Sequence, residues 1–245
     1  MLGLGASISP VITNMHNQGS LTLDGTDQYV NIDNLASSFN GNLFSFSGWF
    51  KVPTTSASLT MFKIIVGTDT NNQMLCQYHA GGNEIRANHK FGGAADVLNQ
   101  GSNSIENDGN WHHVVFILDK TGTDKSFLYI DNSLKEEISG TGTLSGSFSK
   151  MSIGNNTATG GYYKGNIDEC AFWTRAITTA EIAKIYNAGL AAGGGYGIDL
   201  VGQMGTNLIG YYRFEEKTGS VAINTANPGT DGTYVNSPSI SSVTS

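Results

Sequence analysis

The chain has 245 residues and a formal net charge of −7. A chain of this length can bury a full core, and one this acidic has no basic field to attract nucleic acid or an anionic membrane surface. Charged residues make up only 13% of the sequence while glycine numbers 32, which is typical of many short strands joined by tight turns.

Residues 1–19 are predicted to form an arm outside the folded domain. The arm lacks the basic region and the long apolar run of a secretory signal, and no stretch of the chain reaches the roughly 20 apolar residues of a membrane span. We therefore expect a protein made in the cytoplasm without membrane insertion. We also hypothesise that residues 1–12 tether the domain to a partner.

Period-two alternation of apolar and polar residues predicts strands over residues 20–25 and 29–32. The next strand, residues 43–52, places Phe44, Phe46 and Phe50 on one face and Leu43 and Trp49 on the other. Because both of its faces are apolar, this strand is predicted to lie near the centre of a sheet. Residues 111–118 are also apolar on both faces. We expect two facing layers of strands to enclose Phe46, Trp49, Val115 and Ile130.

Further strands follow at intervals of roughly ten residues, a spacing typical of a sandwich or barrel. Asp131 and Asn132 are predicted to take the positive φ angles of a tight hairpin turn. The predicted strands cover residues 59–66, 73–79, 84–90, 111–118, 126–131, 133–138, 151–154, 163–173 and 208–214.

One helix has clear end signals. Thr178 and Glu181 have the spacing of a capping box, Ile182, Ile185 and Tyr186 share a face, and Gly189 offers a terminating position. Glycine-rich residues 191–205 are predicted to form a loose connection, and residues 237–245 a polar tail.

These fragments, in order over residues 20–187, resemble the laminin G-like domains of the concanavalin A-like lectin/glucanase superfamily. The resemblance implies an all-β, two-sheet antiparallel jelly-roll sandwich with one short helix, over residues 20–236. Residues 207–236 resemble a strand and loop that usually come first in such domains. They either complete the sandwich or begin a second, truncated repeat. The matching segments are residues 21–25 with 29–30, 44–49, 111–114, 128–131, 153–154, 165–169 and 179–182.

The first five residues also resemble the start of structural proteins of marine tailed bacteriophages. This resemblance implies a virion surface protein, either a capsid decoration or a fibre-associated module, that is made in the host cytoplasm. Its expected partners are other virion proteins, host surface glycans and further copies of itself. The alternatives are a bacterial carbohydrate-binding lectin and a glycoside hydrolase.

An enzyme is not expected from the residues. Retaining glycosidases need two carboxylates about 5 Å apart, whereas Asp168 and Glu169 are adjacent and point to opposite faces if the strand is regular. His112 and His113 have no further ligand at zinc spacing, so a structural role is favoured for them.

Calcium is the metal that the resemblance favours, with Asp24 and Asp168 as the positions to test. The alternative is that Asp168 caps backbone amides and Asp24 stabilises a turn. The two cysteines, Cys76 and Cys170, are either buried thiols or one disulfide bridge.

Four residues beside glycine pairs are candidate glycan contacts. Tyr162 and Tyr163 follow Gly160 and Gly161, and Tyr78 and His79 precede Gly81 and Gly82. Aromatic rings on loops can stack on sugar faces. The alternative is that these rings lie in the core or at subunit contacts.

Overall fold

A computed structural model describes residues 15–16, 18–55, 57–99, 108–139, 142–156, 161–190, 196–216 and 218–242. It confirms the expected fold, a sandwich of two antiparallel sheets with few helices. The helices are α1 (Asp33–Ala36), α2 (Thr179–Leu190) and α3 (Leu200–Met204). The strands are β1 (Met15–His16), β2 (Gly19–Asp24), β3 (Tyr29–Asn31), β4 (Leu43–Lys51), β5 (Leu59–Val66), β6 (Asp69–His79), β7 (Glu84–Phe91), β8 (Ala94–Asn99), β9 (Trp111–Asp119), β10 (Lys125–Ile130), β11 (Ser133–Ser139), β12 (Lys150–Ile153), β13 (Lys164–Trp173), β14 (Tyr196–Gly197), β15 (Leu208–Tyr212), β16 (Val221–Ala222), β17 (Gly232–Val235) and β18 (Ser239–Ser242).

The two large sheets are called sheet 1 and sheet 2. Sheet 1 has the order β11-β10-β9-β4-β13-β2-β18. In addition, β15 pairs with residues 170–173 of β13, after the part of β13 that pairs with β2. Sheet 2 has the order β16-β17-β3-β12-β5-β6-β7-β8. The short strands β1 and β14 pair with each other.

The inner faces of the two sheets enclose the main core. Phe44, Phe46 and Phe172 of sheet 1 meet Phe62 of sheet 2, with ring centroids 4.3–5.9 Å apart. All four are fully buried. Alternation along each strand therefore assigns the residues between these positions to an outer face.

The outer face of sheet 1 carries a second core. Helices α2 and α3 cover part of this face, and Val115, Trp173, Ile182, Leu200 and Tyr211 are among the buried residues. The sequence grouped Trp49 and Val115 with Phe46 and Ile130 between the two layers, and this was wrong for the first two. They face outward, where the helices rather than sheet 2 cover them.

The helix capping box is confirmed, but the helix does not end at Gly189. Glu181 N–H donates to Thr178 Oγ1 at 3.2 Å, and Glu181 Oε2 accepts from Thr178 N–H at 2.7 Å. The helix runs one residue past Gly189, to Leu190. The predicted loose connection over residues 191–205 contains β14 and α3, the latter capped by Asp199 Oδ1, which accepts from Gly202 N–H at 2.9 Å.

The last part of the chain enters both sheets. In sheet 1, β15 pairs with β13 and β18 pairs with β2, whereas β17 pairs with β3 in sheet 2. Residues 239–242 are therefore a strand, which corrects the prediction of a polar tail. At the other end, β2 begins at Gly19 and residues 15–16 pair with β14, while residues 1–14 lie outside the described residues.

Both cysteines are free and buried, so the bridge is excluded. Cys76 lies on the inner face of sheet 2 and Cys170 on the inner face of sheet 1. In the described part of the chain, no helix has the length and apolar character needed to cross a membrane.

Candidate functional site

One end of the outer face of sheet 1 is not covered by α2 or α3 and exposes polar side chains. Register places Trp111 of β9, Lys51 of β4, Asn166 of β13 and Thr22 of β2 in one row across four neighbouring strands. Their side chains alternate with buried core residues such as Phe50, so they all project outward.

This row forms the floor of an open groove of about 250 Å³, which we call the polar groove. Thr22 Oγ1 lies 2.6 Å from Ser241 Oγ, and Asn166 Nδ2 donates to Thr22 Oγ1 at 2.8 Å and to Ser20 Oγ at 3.3 Å. These bonds fix the orientation of the amide and the hydroxyl groups. The lining consists of Ser20, Thr22, Lys51, Trp111, Asn166, Ser241 and Ser242.

Aromatic rings lie next to the polar groove, in the adjoining row of strand residues. Trp49 of β4 pairs with His113 of β9, and its ring stacks on Tyr186 of α2 with centroids 5.9 Å apart and planes 5° apart. The His113 ring is 5.1 Å from the Trp49 ring. Packing of α2 on the sheet therefore holds an aromatic cluster beside the groove, while Trp111 is the indole in the groove itself.

The two histidines beside Trp111 have opposite environments. His113 is fully buried and its Nε2 lies 2.8 Å from Ser47 Oγ, and this burial lowers its pKa to about 4. Burial also lowers the pKa of His112, but hydrogen bonds and charges from Asp131 and Asp108 outweigh it, and the pKa is raised overall. His112 Nδ1 is 2.7 Å from Asp131 Oδ2, and Nε2 is 3.3 Å from Asp108 Oδ1.

The adjacent acids Asp168 and Glu169 do not point to opposite faces, which corrects the sequence argument. A bulge lies in β13 opposite β4, and Glu169 has a φ of 49°, so the regular alternation stops there. Asp168 pairs with Trp49, and the Glu169 carboxylate contacts Tyr211, so both acids lie on the outer side of sheet 1.

Both of these carboxylates are buried and engaged. Asp168 Oδ1 accepts from the Glu169 N–H at 2.9 Å. Glu169 accepts from Arg213 Nε at 3.1 Å and from the Tyr211 hydroxyl. Burial raises the pKa of Glu169 to about 7, against the charge of Arg213, which lowers it. The arrangement stabilises the bulge and leaves neither acid exposed to a substrate.

The four predicted glycan contacts are not brought together as a site. Tyr78 is 1% exposed and Tyr163 is fully buried, both in the core between the sheets, so the expectation that they stack on a sugar is corrected. His79 Nδ1 accepts from Gly82 N–H at 3.2 Å in its own turn. Tyr162 is half-buried and its ring centroid lies 6.4 Å from that of Tyr29.

The outer face of sheet 2, where Tyr162 and His79 lie, is closed at its centre. Thr60, Lys63 and Ser152 are each at most 2% exposed. Lys63 Nζ donates to Asn156 Oδ1 at 2.6 Å, and burial lowers the pKa of this lysine to about 8. These three polar side chains at the centre of the face are therefore not accessible to a ligand.

The two predicted calcium ligands do not fit one ion. Asp24 lies opposite Lys164, and Asp168 is four residues further along β13, a separation of about 13 Å along a strand. Asp24 Oδ1 accepts from Thr26 N–H at 2.8 Å in a turn, as the alternative interpretation expects. The described residues contain no group of three or more His, Cys, Asp or Glu side chains arranged to hold a metal.

Sequence reasoning missed the polar groove because its members come from distant parts of the chain. Thr22 and Ser241 are separated by 219 positions, and Thr22 and Asn166 by 144. A signal was present, since Thr22, Lys51, Trp111 and Asn166 are polar or amphipathic residues at outward positions of predicted strands. The sequence alone does not show which of these strands are neighbours in the sheet.

Comparison with protein families identifies a match over most of the chain. The family model described as "Concanavalin A-like lectin/glucanases superfamily" matches residues 24–183. No curated protein matches the sequence.

Solved structures share the fold at low sequence identity. A Bacteroides ovatus protein, whose carbohydrate binding is itself an inference, matches with a TM-score of 0.62 and 14% identity over 95% of this chain and 61% of its own. The CBM40 of a Ruminococcus gnavus IT-sialidase, bound to α2,3 sialyllactose, matches with a TM-score of 0.56 and 10% identity over 70% of this chain and 98% of its own. A heptameric SAP-like pentraxin from Limulus polyphemus matches with a TM-score of 0.51 and 12% identity over 69% of this chain and 82% of its own.

Proposed function

The chain belongs to the concanavalin A-like lectin/glucanases superfamily, and we propose that it is a non-catalytic carbohydrate-binding module whose ligand lies in the polar groove. The lining of the groove carries the proposal. The hydroxyl groups of Thr22 and Ser241 and the amide of Asn166 can hydrogen-bond to sugar hydroxyls, and the Trp111 indole can stack on a sugar face.

The size and openness of the groove suit a saccharide end rather than a long chain. Small-molecule pockets commonly measure about 300–1,000 Å³. At about 250 Å³ the polar groove lies below this range. The CBM40 bound to α2,3 sialyllactose supports a carbohydrate role for this fold.

The burial of the two acids beside the groove favours a binding protein over a hydrolase. A retaining glycosidase uses one carboxyl group as acid and one as nucleophile, and both must reach the sugar. Asp168 and Glu169 are 3% and 7% exposed and bonded to a backbone N–H, Arg213 and Tyr211. We expect no product when the protein is incubated with labelled β-glucans, whereas release of reducing ends would favour the hydrolase alternative.

A glycan array on the natural chain, Trp111→Ala and Asn166→Ala tests the site. Loss of the stacking ring or the amide should weaken binding of the retained glycans about tenfold, since each removes a contact worth about 1–2 kcal/mol. Tyr162→Ala is the matched aromatic control, because this ring lies beside Tyr29 of sheet 2, and it should bind normally. Loss of binding in this control, with normal binding by Trp111→Ala, would move the site to sheet 2. A repeat in EDTA tests the predicted calcium, and a chelator-sensitive signal would support it.

The virion setting stays a prediction, as do self-association and contacts with other virion proteins. Many copies on one particle would convert a weak single-site affinity into useful avidity. Mass spectrometry of purified particles that encode this chain should detect it, and its absence from them would favour the bacterial lectin.

A further inference from the structure

A lysine lies in the floor of the polar groove. Lys51 ends β4, pairs with Trp111 on one side and with Asn166 on the other, and is exposed. Its side chain therefore projects into the groove between the indole ring and the amide. Lys164, also exposed and on the outer side of β13, lies two residues from Asn166.

The carboxylates around the groove are already engaged elsewhere. Asp108 bonds to Asn110 and to the His112 ring, Asp24 to the Thr26 N–H, and Asp168 to the Glu169 N–H. Among the residues that the structure describes, no carboxylate forms an ion pair with Lys51. The positive charge of this lysine is available to a ligand.

We propose that the polar groove selects saccharides that carry an anionic oxygen group, a carboxylate or a sulfate ester, and that Lys51 is the residue that binds this group. The inference rests on the proposed function and adds the ligand class to it. An ammonium group is a compact point charge with three donors, so it can bind either anionic group.

The charge of the whole protein sets the kind of acidic sugar. With a net charge of −7, the molecule repels polyanions at long range, so a densely charged polysaccharide is disfavoured. A single acidic group at a chain end is repelled less at long range than a polyanion, and Lys51 and Lys164 attract it locally. The ligand is therefore a saccharide with an isolated acidic residue and neighbouring neutral hydroxyls, which Asn166, Thr22 and Ser241 can contact.

The test compares matched ligands on Lys51→Gln by calorimetry. The probes are a trisaccharide ending in glucuronic acid, the same trisaccharide ending in glucose, and the same trisaccharide ending in 6-O-sulfated glucose. The natural chain should bind at least one acidic probe about tenfold more tightly than the neutral one, since a hydrogen bond to a charged group contributes more than a neutral bond. Lys51→Gln should lose this preference and keep its affinity for the neutral probe.

Two control variants separate the possible failures. Lys150→Gln removes an exposed lysine from sheet 2 and should keep the preference, which excludes an effect of net charge alone. Trp111→Ala should weaken all three probes. If Lys51→Gln keeps the acidic preference, or weakens acidic and neutral probes equally, the inference about anionic ligands is wrong while the groove stands. If Trp111→Ala changes nothing, the proposed site itself is wrong. The probe that shows the preference identifies carboxylate or sulfate as the bound group.

Discussion

At the scale of single residues, His112 and His113 show how one position in a strand changes the chemistry of a side chain. His113 faces the second core and is fully buried among Trp49, Tyr186 and Ser47. His112 lies between the carboxylates of Asp131 and Asp108. The surroundings of His113 therefore lower its pKa, and those of His112 raise its pKa.

The two histidines should therefore affect stability in opposite directions as the pH falls. His113 has a pKa of about 4 in the folded protein, below the ordinary value of 6.5. Its contribution to the free energy of unfolding is therefore fully present above pH 6.5 and is lost as the pH falls towards 4. Removing this titration in His113→Gln should reduce the acid loss between pH 7 and 4.5 by about 2–3 kcal/mol. Urea unfolding at the two pH values measures this.

His112→Gln is the internal control for that measurement. The folded pKa of His112 is raised, so its contribution is complete below pH 6.5 and is lost as the pH rises through the raised value. The variant should lose more stability on acidification than the natural chain does, because it cannot gain the bonds of the protonated ring. Equal pH profiles for the two variants would contradict the assigned environments.

The residue scale also shows what the sequence could and could not predict. The burial of Tyr78 was predictable, because it has the same parity along its strand as Met74 and Cys76, and all three face the core. Tyr78 was instead predicted to lie on a loop, because Gly81 and Gly82 follow it. The outward side chains of Thr22, Lys51 and Trp111 were predictable too, but their meeting in one groove depends on strand pairing over long sequence distances.

At the scale of elements, the start of α2 fixes the position of Tyr186 beside the groove. Arg175 donates to both carboxylate oxygens of Glu181, at 2.9 and 2.6 Å, while Glu181 and Thr178 cap each other. These bonds lower the pKa of Glu181 to about 2, with the Arg175 hydrogen bond as the largest cause. The capping box was predictable because its residues are local, whereas Arg175 was not part of the pattern.

Thr178→Ala should therefore destabilise the protein by about 1 kcal/mol, since it removes the hydroxyl that accepts from the Glu181 N–H. For a domain of this size the thermal midpoint should fall by about 2–4 °C. Thr179→Ala is the matched control, because Thr179 is equally exposed and begins the helix. An equal loss in both variants would show that β-branched side chains, rather than the cap, determine stability here.

The bulge in β13 was not predicted from any pattern in the sequence. Glu169 takes a φ of 49°, in the left-handed region where glycine or asparagine is usual. Its carboxylate bonds to Arg213 and Tyr211, which lie more than forty positions later in the chain. Tertiary contacts therefore select a backbone conformation that the local sequence disfavours, and the period-two alternation failed at that point.

At the scale of the whole molecule, sheet 1 is covered on both faces, by sheet 2 on the inside and by α2 and α3 on much of the outside. The apolar pattern of β4 and β9 predicted cover on both faces. It did not tell which residues meet sheet 2 and which meet the helices, because both environments are apolar. The polar groove occupies the part of the outer face that the helices leave open.

The last strand joins this architecture to the proposed function. Along β18, Ile240 pairs with Leu21 of β2, and Ser241 contributes to the polar groove. Its loss would expose the edge of β2 and remove one wall of the groove. An unpaired strand edge also favours aggregation.

Deletion of residues 237–245 should therefore lower the thermal midpoint, increase light scattering on storage and weaken glycan binding about tenfold or more. Deletion of residues 243–245 alone leaves β18 in place and serves as the control, with all three properties unchanged. Ser241→Ala separates the two roles of the strand, because it removes a hydroxyl from the groove while the backbone pairing with Ser20 is retained. It should weaken binding without increasing scattering. If the variant that lacks residues 237–245 behaves like the natural chain in all three measurements, the sequence prediction of a polar tail is correct and the proposed role of β18 is wrong.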